Sequence, residues 1–190
     1  MMHVLVTVAS RHGSTREIAD AIAQELRMPG IDADVRHVEE VPDLNSYDAV
    51  VLGSAIYMGN WESAANQFLQ RHQSRLLTMP VWLFSSGPVG NDDRPGQGDP
   101  PKVVEIARLT HARGHQMFAG KLDRHGLSLG ERLVVNVVHA PDGDFRDWTA
   151  IRSWADEIGA ALKSAAVPAG AAATSSDSPT RSQPASAYFG

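Results

Sequence analysis

The sequence predicts an α/β fold, in which helices cover both faces of a five-stranded parallel sheet in a doubly wound, three-layer arrangement. Short apolar runs, typical of strands, alternate along the chain with segments whose apolar residues recur at helical spacing. Strands that alternate with helices form βαβ units, and a series of such units builds a parallel sheet. All five apolar runs precede residue 123, which favours one doubly wound domain.

The five runs and four amphipathic segments define the predicted elements. The strands cover 4–9, 34–38, 49–53, 81–85 and 116–122. The helices include 18–26, 64–76, 103–109 and 151–162. Ile18, Ile22 and Leu26 form one stripe of the first helix, as packing on a sheet requires. Asp144 or Asp147 is predicted to cap the last helix.

Composition excludes several classes of function. The chain has no cysteine, which excludes disulfides, thiol nucleophiles and iron–sulfur clusters. Its 17 basic and 22 acidic residues leave a net charge of -5, which argues against a nucleic-acid partner. No run is long and apolar enough for an integral membrane segment, and the amino terminus does not resemble a signal peptide. A cytoplasmic location is expected.

The composition changes near residue 164. From there to residue 190, Ala, Ser, Thr, Pro and Gly dominate, and the charged residues are Asp177 and Arg181. Such a segment buries too little apolar surface to offset the entropy of ordering it. We therefore expect one domain over residues 1–163 and a disordered tail over residues 164–190.

The loop after the first strand is the first candidate site, because ligands of doubly wound folds bind beyond the carboxyl ends of the strands. Its residues are Ser10, Arg11, His12, Gly13, Ser14 and Thr15. Gly13 permits a tight turn, and the N–H groups that start a helix favour an anion. Ser14 and Glu17 have capping-box spacing. This loop fits a phosphate site and a well-capped turn without a ligand equally well.

Several phosphate-binding motifs are excluded. A P-loop needs a lysine that is absent here, and a dinucleotide fingerprint needs three glycines where this loop has one. A phospho-acceptor receiver needs acidic residues after the first strand, and a cysteine phosphatase needs a cysteine. The remaining interpretation is a hydroxyl-rich loop that suits a terminal phosphate monoester.

This loop resembles the phosphate loop of flavodoxins, Thr/Ser-x-Thr-Gly-x-Thr. Ser10, Gly13 and Thr15 match that pattern, and His12 stands where the family has its middle threonine. The resemblance implies a flavodoxin-like fold with strand order 2-1-3-4-5 and FMN as the cofactor. Arg11 and Arg16 could add positive charge, and the alternative is that both side chains face solvent.

Two further loops are expected to hold the flavin ring. The second, which follows the third strand, combines glycine, small and aromatic residues: Ala55, Ile56, Tyr57, Met58, Gly59 and Trp61. Tyr57 is favoured as the stacking face, whereas Trp61 also suits a core position. The third is rich in glycine and proline and begins Ser85, Ser86, Gly87, Pro88, Val89 and Gly90.

Within the flavodoxin-like proteins, residues 1–163 most resemble the menaquinone-dependent protoporphyrinogen oxidases. The motifs that carry this resemblance are Thr15-Arg16-Glu17-Ile18-Ala19, Tyr47-Asp48, Gly53-x-x-Ile56-Tyr57-x-Gly59, Met79-Pro80 and Ala119-Gly120-x-Leu122. The chain departs from that family in residues 123–145, which are not strongly basic.

Three functions follow from these patterns. The first is an FMN-binding oxidoreductase or electron-transfer protein, whose partner is a redox protein or a small molecule. The second is an oxidase of protoporphyrinogen IX that uses a quinone as acceptor. The third is a flavin-free interaction protein with the same fold, which the substitution at His12 favours.

The remaining titratable residues give two weaker predictions. His111 and His115 have the spacing of two metal ligands on one helix face, but Gly114 interrupts that helix, so no metal site is predicted. Glu62, Asp92 and Asp93 are the carboxylates expected near the ring. A negative charge there would lower the reduction potential of the flavin.

Overall fold

The computed structural model describes residues 1–11, 13–57, 59–87, 100–122 and 143–166. Predictions for His12, Met58, Pro88, Val89, Gly90, Asp92 and Asp93, and for the tail beyond residue 166, lie outside these residues. The strands are β1 (His3–Ala9), β2 (Asp32–His37), β3 (Ala49–Tyr57), β4 (Asn60–Trp61), β5 (Val81–Gly87), β6 (Gly114–Ala119), β7 (Lys121–Leu122) and β8 (Gly143–Asp144). The helices are α1 (Ser14–Arg27), α2 (Ser63–Leu76), α3 (Pro101–Thr110) and α4 (Trp148–Ala166), with a short 3₁₀ turn at Val38–Glu40.

Five of these strands form the predicted parallel sheet. Their order is β2-β1-β3-β5-β6, which confirms the expected order 2-1-3-4-5 for the parallel strands. In the register, Ala9 lies opposite Ser54, and Ser54 lies opposite Ser85. The carboxyl ends of the three central strands therefore meet at one edge, and the three candidate loops begin there.

The sheet has apolar side chains on both faces because helices cover both. Along β1, Val4, Val6 and Val8 pack against α1 and α4, whereas Leu5 points into the opposite cluster with α2 and α3. Such continuous burial explains why the strand is apolar throughout rather than alternating. Trp154 of α4 closes one cluster with an edge-on contact of its ring to Phe118, with centroids 5.7 Å apart.

Two strands extend further than predicted, into the candidate loops. β3 continues to Tyr57 and turns back through the antiparallel strand β4, in which Ile56 pairs with Trp61. β5 continues to Gly87, which pairs with Ala119. The strands continue through these small residues because neighbouring strands satisfy their backbone hydrogen bonds.

The two helix-start predictions have different outcomes. The capping box of Ser14 and Glu17 is wrong, because Gly13 is the N-cap and no side chain caps α1. The Ser14 hydroxyl instead accepts a bond from the Lys121 backbone N–H at 3.1 Å. Asp147 does cap α4, where Oδ1 accepts two backbone bonds at 3.0 Å. That helix extends to Ala166, past the boundary predicted at residue 163.

Candidate functional site

The first loop presents an open helix start at the carboxyl edge of the sheet. Gly13 has φ of 81°, in the left-handed region that glycine adopts without strain, and a β-carbon placed there would contact nothing within 4 Å. Among the described residues, no side chain caps the first turn of α1. Thr15 of that turn is buried. The backbone donors and the positive end of the helix dipole suit an anion at this position.

Arg146 holds this loop against the paired strands β7 and β8. Its Nη1 donates to Glu17 Oε2 at 2.7 Å and to the Ser14 backbone oxygen at 3.4 Å. Its Nε and Nη2 donate to the two carboxylate oxygens of Asp144, at 2.8 and 2.6 Å. The guanidinium also lies over the Trp148 ring, 4.5 Å from its centroid. We call Arg146, Asp144 and Glu17 the arginine clasp.

The arginine clasp is almost closed to water at its centre. The side chain of Arg146 is 3% exposed, although its two carboxylate partners reach solvent. The hydrogen bond from Arg146 lowers the pKa of Asp144 to about 2.

The Ser14 hydroxyl has a separate role at this loop. Because its oxygen accepts a bond from the Lys121 backbone N–H, its hydrogen is left to donate to another group.

The second loop is a tight hairpin between β3 and β4. Gly59 has φ of 74° and open space at its β-carbon position, so the turn depends on a left-handed residue. Tyr57 is 38% exposed at the end of β3, where its ring can meet a ligand. Trp61 is 4% exposed and packs in the core with α2, so it offers a ligand little ring surface.

A buried hydrogen-bond chain supports the hairpin from below. Trp61 Nε1 donates to Ser85 Oγ at 2.8 Å, and the same oxygen lies 2.9 Å from His115 Nε2. Since the indole N–H can only donate, the Ser85 hydroxyl hydrogen is free to donate to an unprotonated Nε2. This chain joins β4 to β5 and to the start of β6, and it links the second loop to the sheet.

Arg11 and Glu62 connect the first and second loops. Arg11 Nε pairs with Glu62 Oε2 at 3.3 Å, and its guanidinium carbon lies 5.7 Å from the centroid of the Tyr57 ring. The Glu62 side chain is 7% exposed, and its backbone N–H donates to Ser54 Oγ at 3.0 Å. Glu62 Oε1 is buried without a hydrogen-bond partner among the described residues, so the site contains an unused acceptor.

Comparison with known proteins decides the family of this site. A family profile described as flavodoxin domain matches residues 5–149. The chain belongs to the flavodoxin-domain family. It is also 41% identical over 174 residues to protoporphyrinogen IX dehydrogenase (quinone) of Escherichia coli K12, with 83% of this chain and 94% of that protein covered.

Solved structures agree with the flavodoxin fold. A flavodoxin from the domain Archaea has a TM-score of 0.59 at 15% identity, over 85% of this chain and 99% of that one. Oxidised flavodoxin 1 of Bacillus cereus has a TM-score of 0.54 at 16% identity, over 82% and 95%. The flavodoxin domain indicates that the chain binds FMN and is an oxidoreductase or electron-transfer protein. None of its described helices is long and apolar enough to cross a membrane.

The flavodoxin site contains residues that the sequence patterns did not reveal. Arg146 is far from Ser14 in sequence, and no local motif marks it. His115 was considered only as a partner of His111, but His111 ends α3 and His115 lies in β6, so they do not share a helix face. Its actual partner, Ser85, could be found from sheet pairing alone, because Ser85 lies two positions along β5 from Leu83, the neighbour of His115, and therefore on the same face of the sheet.

Proposed function

We propose that this flavodoxin-domain protein oxidises protoporphyrinogen IX and passes the electrons to a quinone. The observation that carries the proposal is the 41% identity to the Escherichia coli protoporphyrinogen IX dehydrogenase (quinone), which extends over 94% of that protein. The substrates of that relative are therefore the first to test here.

The described residues fit FMN at its phosphate end. No side chain in the described ranges caps the first turn of α1, Gly13 leaves open space at its β-carbon position, and Ser14 has a hydroxyl hydrogen to donate. We propose that Ser10, His12, Gly13, Ser14 and Thr15 bind the phosphate, whereas Arg11 of the same loop contacts Glu62 and Tyr57. A dianionic phosphate at a helix start is favoured by both the backbone donors and the helix dipole.

The ring end offers complementary chemistry. We propose that the ring binds between the second loop, with Tyr57 as its aromatic contact, and the third loop from Ser85 to Gly90. Ala55, Ile56, Met58, Gly59 and Trp61 would shape the second wall, and Ser86, Gly87, Pro88 and Val89 the third. Glu62 Oε1 supplies an unpaired acceptor, and the ribityl chain of FMN carries hydroxyl donors.

The division of labour is that of a cofactor enzyme. FMN, when bound, supplies the electron-transfer chemistry, and the protein supplies binding, orientation and charge. The arginine clasp keeps the phosphate loop in place, and the Trp61–Ser85–His115 chain sets the position of the second loop. The carboxylate of Glu62, which is paired with Arg11, would supply negative charge near a bound ring and would favour the oxidised flavin over an anionic reduced form.

The test uses the purified full chain. We expect the visible spectrum of a flavin after addition of FMN, and protoporphyrin fluorescence when protoporphyrinogen IX and a menaquinone analogue are supplied without oxygen. A protein that binds FMN but forms no protoporphyrin above the enzyme-free rate would refute the proposed substrate. Failure to bind FMN at micromolar concentration would contradict the cofactor as well.

A matched pair of variants examines the phosphate end. Ser14→Ala removes the proposed hydroxyl donor and should weaken FMN binding about tenfold, the equivalent of one hydrogen bond to a charged group. Riboflavin, which lacks the phosphate, should bind both forms equally. Ser74→Ala makes the same change on the exposed carboxyl-terminal turn of α2 and should alter neither affinity.

A further inference from the structure

We propose that Arg11 binds a carboxylate of the substrate at the mouth of the flavin site. This inference rests on the proposed function, because protoporphyrinogen IX carries propionic acid side chains. It assigns to Arg11 a role in substrate specificity, separate from the binding of FMN. Three features of the residue support it: where it points, what holds it and what it leaves unbound.

Arg11 points away from the helix start that suits the phosphate. Although it belongs to the first loop, its contacts are with Glu62 and Tyr57, which both flank the hairpin of the second loop. Arg16 has a different arrangement, because it pairs along α1 with Asp20 at 3.4 Å. The charge of Arg11 is thus directed to the side of the site where a ring and its substrate would meet.

Arg11 is held on two sides. The buried carboxylate of Glu62 accepts from Nε, and the ring of Tyr57 faces the guanidinium at a distance that permits a cation–π contact. A flexible arginine on the surface loses rotamer entropy when it binds a ligand. Because these contacts restrict the side chain beforehand, less of that entropy remains to be lost when a carboxylate binds.

Arg11 also retains free donors. Its side chain is 59% exposed, and Nη1 and Nη2 make no hydrogen bond to any residue in the described ranges. Two parallel N–H groups on a planar guanidinium match the two oxygens of a carboxylate. A propionate is such a group, whereas the quinone acceptor carries no negative charge. Arg11 therefore distinguishes the reducing substrate from the oxidising one.

The experiment measures equilibrium binding to the FMN-loaded full chain. Protoporphyrin IX, which keeps both propionates, is compared with its dimethyl ester in the same low concentration of detergent, by quenching of porphyrin fluorescence. Arg11→Gln should weaken binding of the acid about tenfold and change binding of the ester less than twofold. Arg11→Lys keeps the charge without the fork and should fall between the two.

Arg16→Gln is the matched control, since it removes a paired arginine five positions along the same segment. It should leave the ratio of acid to ester affinity unchanged. FMN affinity is measured for every variant and should stay constant. A loss of FMN affinity in Arg11→Gln, with the porphyrin ratio unchanged, would overturn the inference and assign Arg11 to the phosphate. An equal loss for acid and ester would overturn it too, because Arg11 would then act by packing alone.

The outcome is separable from that of the proposed function. If the unaltered protein binds protoporphyrin IX more tightly than the ester but forms no product, the proposed activity fails while Arg11 keeps its role as a carboxylate-binding residue. If the unaltered protein oxidises protoporphyrinogen IX but binds acid and ester equally, the activity stands and the inference about Arg11 is overturned. If it binds neither porphyrin, both are overturned.

Discussion

Arg11 belongs to the first loop and Arg146 binds it from α4's entry segment, and the surroundings of the two arginines differ. Arg146 is 3% exposed and donates to two carboxylates and a backbone oxygen. Arg11 is 59% exposed, and its Nε donates one hydrogen bond to Glu62. The same residue type therefore has two different surroundings at one loop, and we infer two different roles. A buried guanidinium with four hydrogen bonds fixes backbone position, whereas an exposed one whose Nη1 and Nη2 make no bond within the described ranges is available to a ligand.

The difference also predicts where stability is located. Exposed ion pairs contribute little to folding, because water competes for both partners and side-chain entropy is lost. Removing the partners of a buried guanidinium costs more free energy, because the charge is then left buried without compensation. The phosphate end of the site should accordingly be the more stable and more easily damaged end, and the ring end the more adaptable one.

The largest effect is expected from Arg146→Met. This change removes four side-chain hydrogen bonds but keeps most of the buried chain. Since Asp144 and Glu17 regain water, we expect a loss of about 2–3 kcal/mol in the free energy of unfolding, measured in urea. The loosened loop should bind FMN at least tenfold more weakly, a factor that equals about 1.4 kcal/mol, while riboflavin affinity changes little.

Arg11→Met is the matched control, because it makes the same substitution at the exposed arginine. It removes one hydrogen bond to the buried Glu62 carboxylate, so it should cost about 1 kcal/mol of stability, less than Arg146→Met. Equal losses at the two positions would show that burial does not distinguish them. An equal loss of FMN and riboflavin affinity in Arg146→Met would show that the clasp supports the whole site rather than its phosphate end.

The next largest effect is expected from Ser85→Ala at the ring end. The variant removes the acceptor of the Trp61 indole N–H and the hydroxyl that lies beside His115 Nε2, and both Trp61 and Ser85 are buried. A buried donor left unpaired costs about 1–3 kcal/mol. Trp61→Phe removes the donor instead, so the double variant should lose less than the sum of the two single losses. Additive losses would contradict a shared hydrogen-bond chain.

A smaller effect is expected at the turn of the second loop. Gly59→Ala meets no atom within 4 Å, so its cost is the left-handed backbone alone, about 1–2 kcal/mol. Gly59→Asn should cost less, because asparagine adopts that conformation more readily. Gly13→Ala carries the same strain at the phosphate end. Urea unfolding should rank Gly13→Ala and Gly59→Ala together, while riboflavin affinity should fall in the second and not in the first.

Much of the fold could be predicted because local patterns carry it. The stripe of Ile18, Ile22 and Leu26 marks α1, and the alternation of strands and helices implies a parallel sheet. The rule that ligands bind at the carboxyl edge then places three loops together. The extension of β3 to Tyr57 was missed, because small residues beyond Gly53 resemble a loop until the pairing with β4 and β5 is known.

The clasp could not be predicted, because its partners are brought together only by the finished fold. Arg146 and Ser14 are 132 positions apart. Ser14 and Glu17 did resemble a capping box, but Lys121 and Arg146 take the two side chains as partners in the folded chain. The local capping-box pattern is therefore not formed, because both side chains bind residues that are distant in sequence. Glu62 was expected near the ring from sequence, but its burial and its bond to Arg11 were not.

The smallest effect concerns the pH dependence of the clasp. The hydrogen bond from Arg146 lowers the pKa of Asp144 from 3.8 to about 2 in the folded chain. A carboxyl whose pKa falls on folding stabilises the folded state above its unfolded pKa, and this contribution is lost as the pH falls through the folded value. The free energy of unfolding should therefore decline between about pH 4 and pH 2. Because 41% of the Asp144 side chain is exposed, water screens the effect. Urea titrations across this range should show a shallower decline in Asp144→Asn. If the free energy of unfolding declined equally steeply in Asp144→Asn, the bond between Arg146 and Asp144 would not contribute to this pH dependence. Burial of Arg146 would then not strengthen its coupling to Asp144.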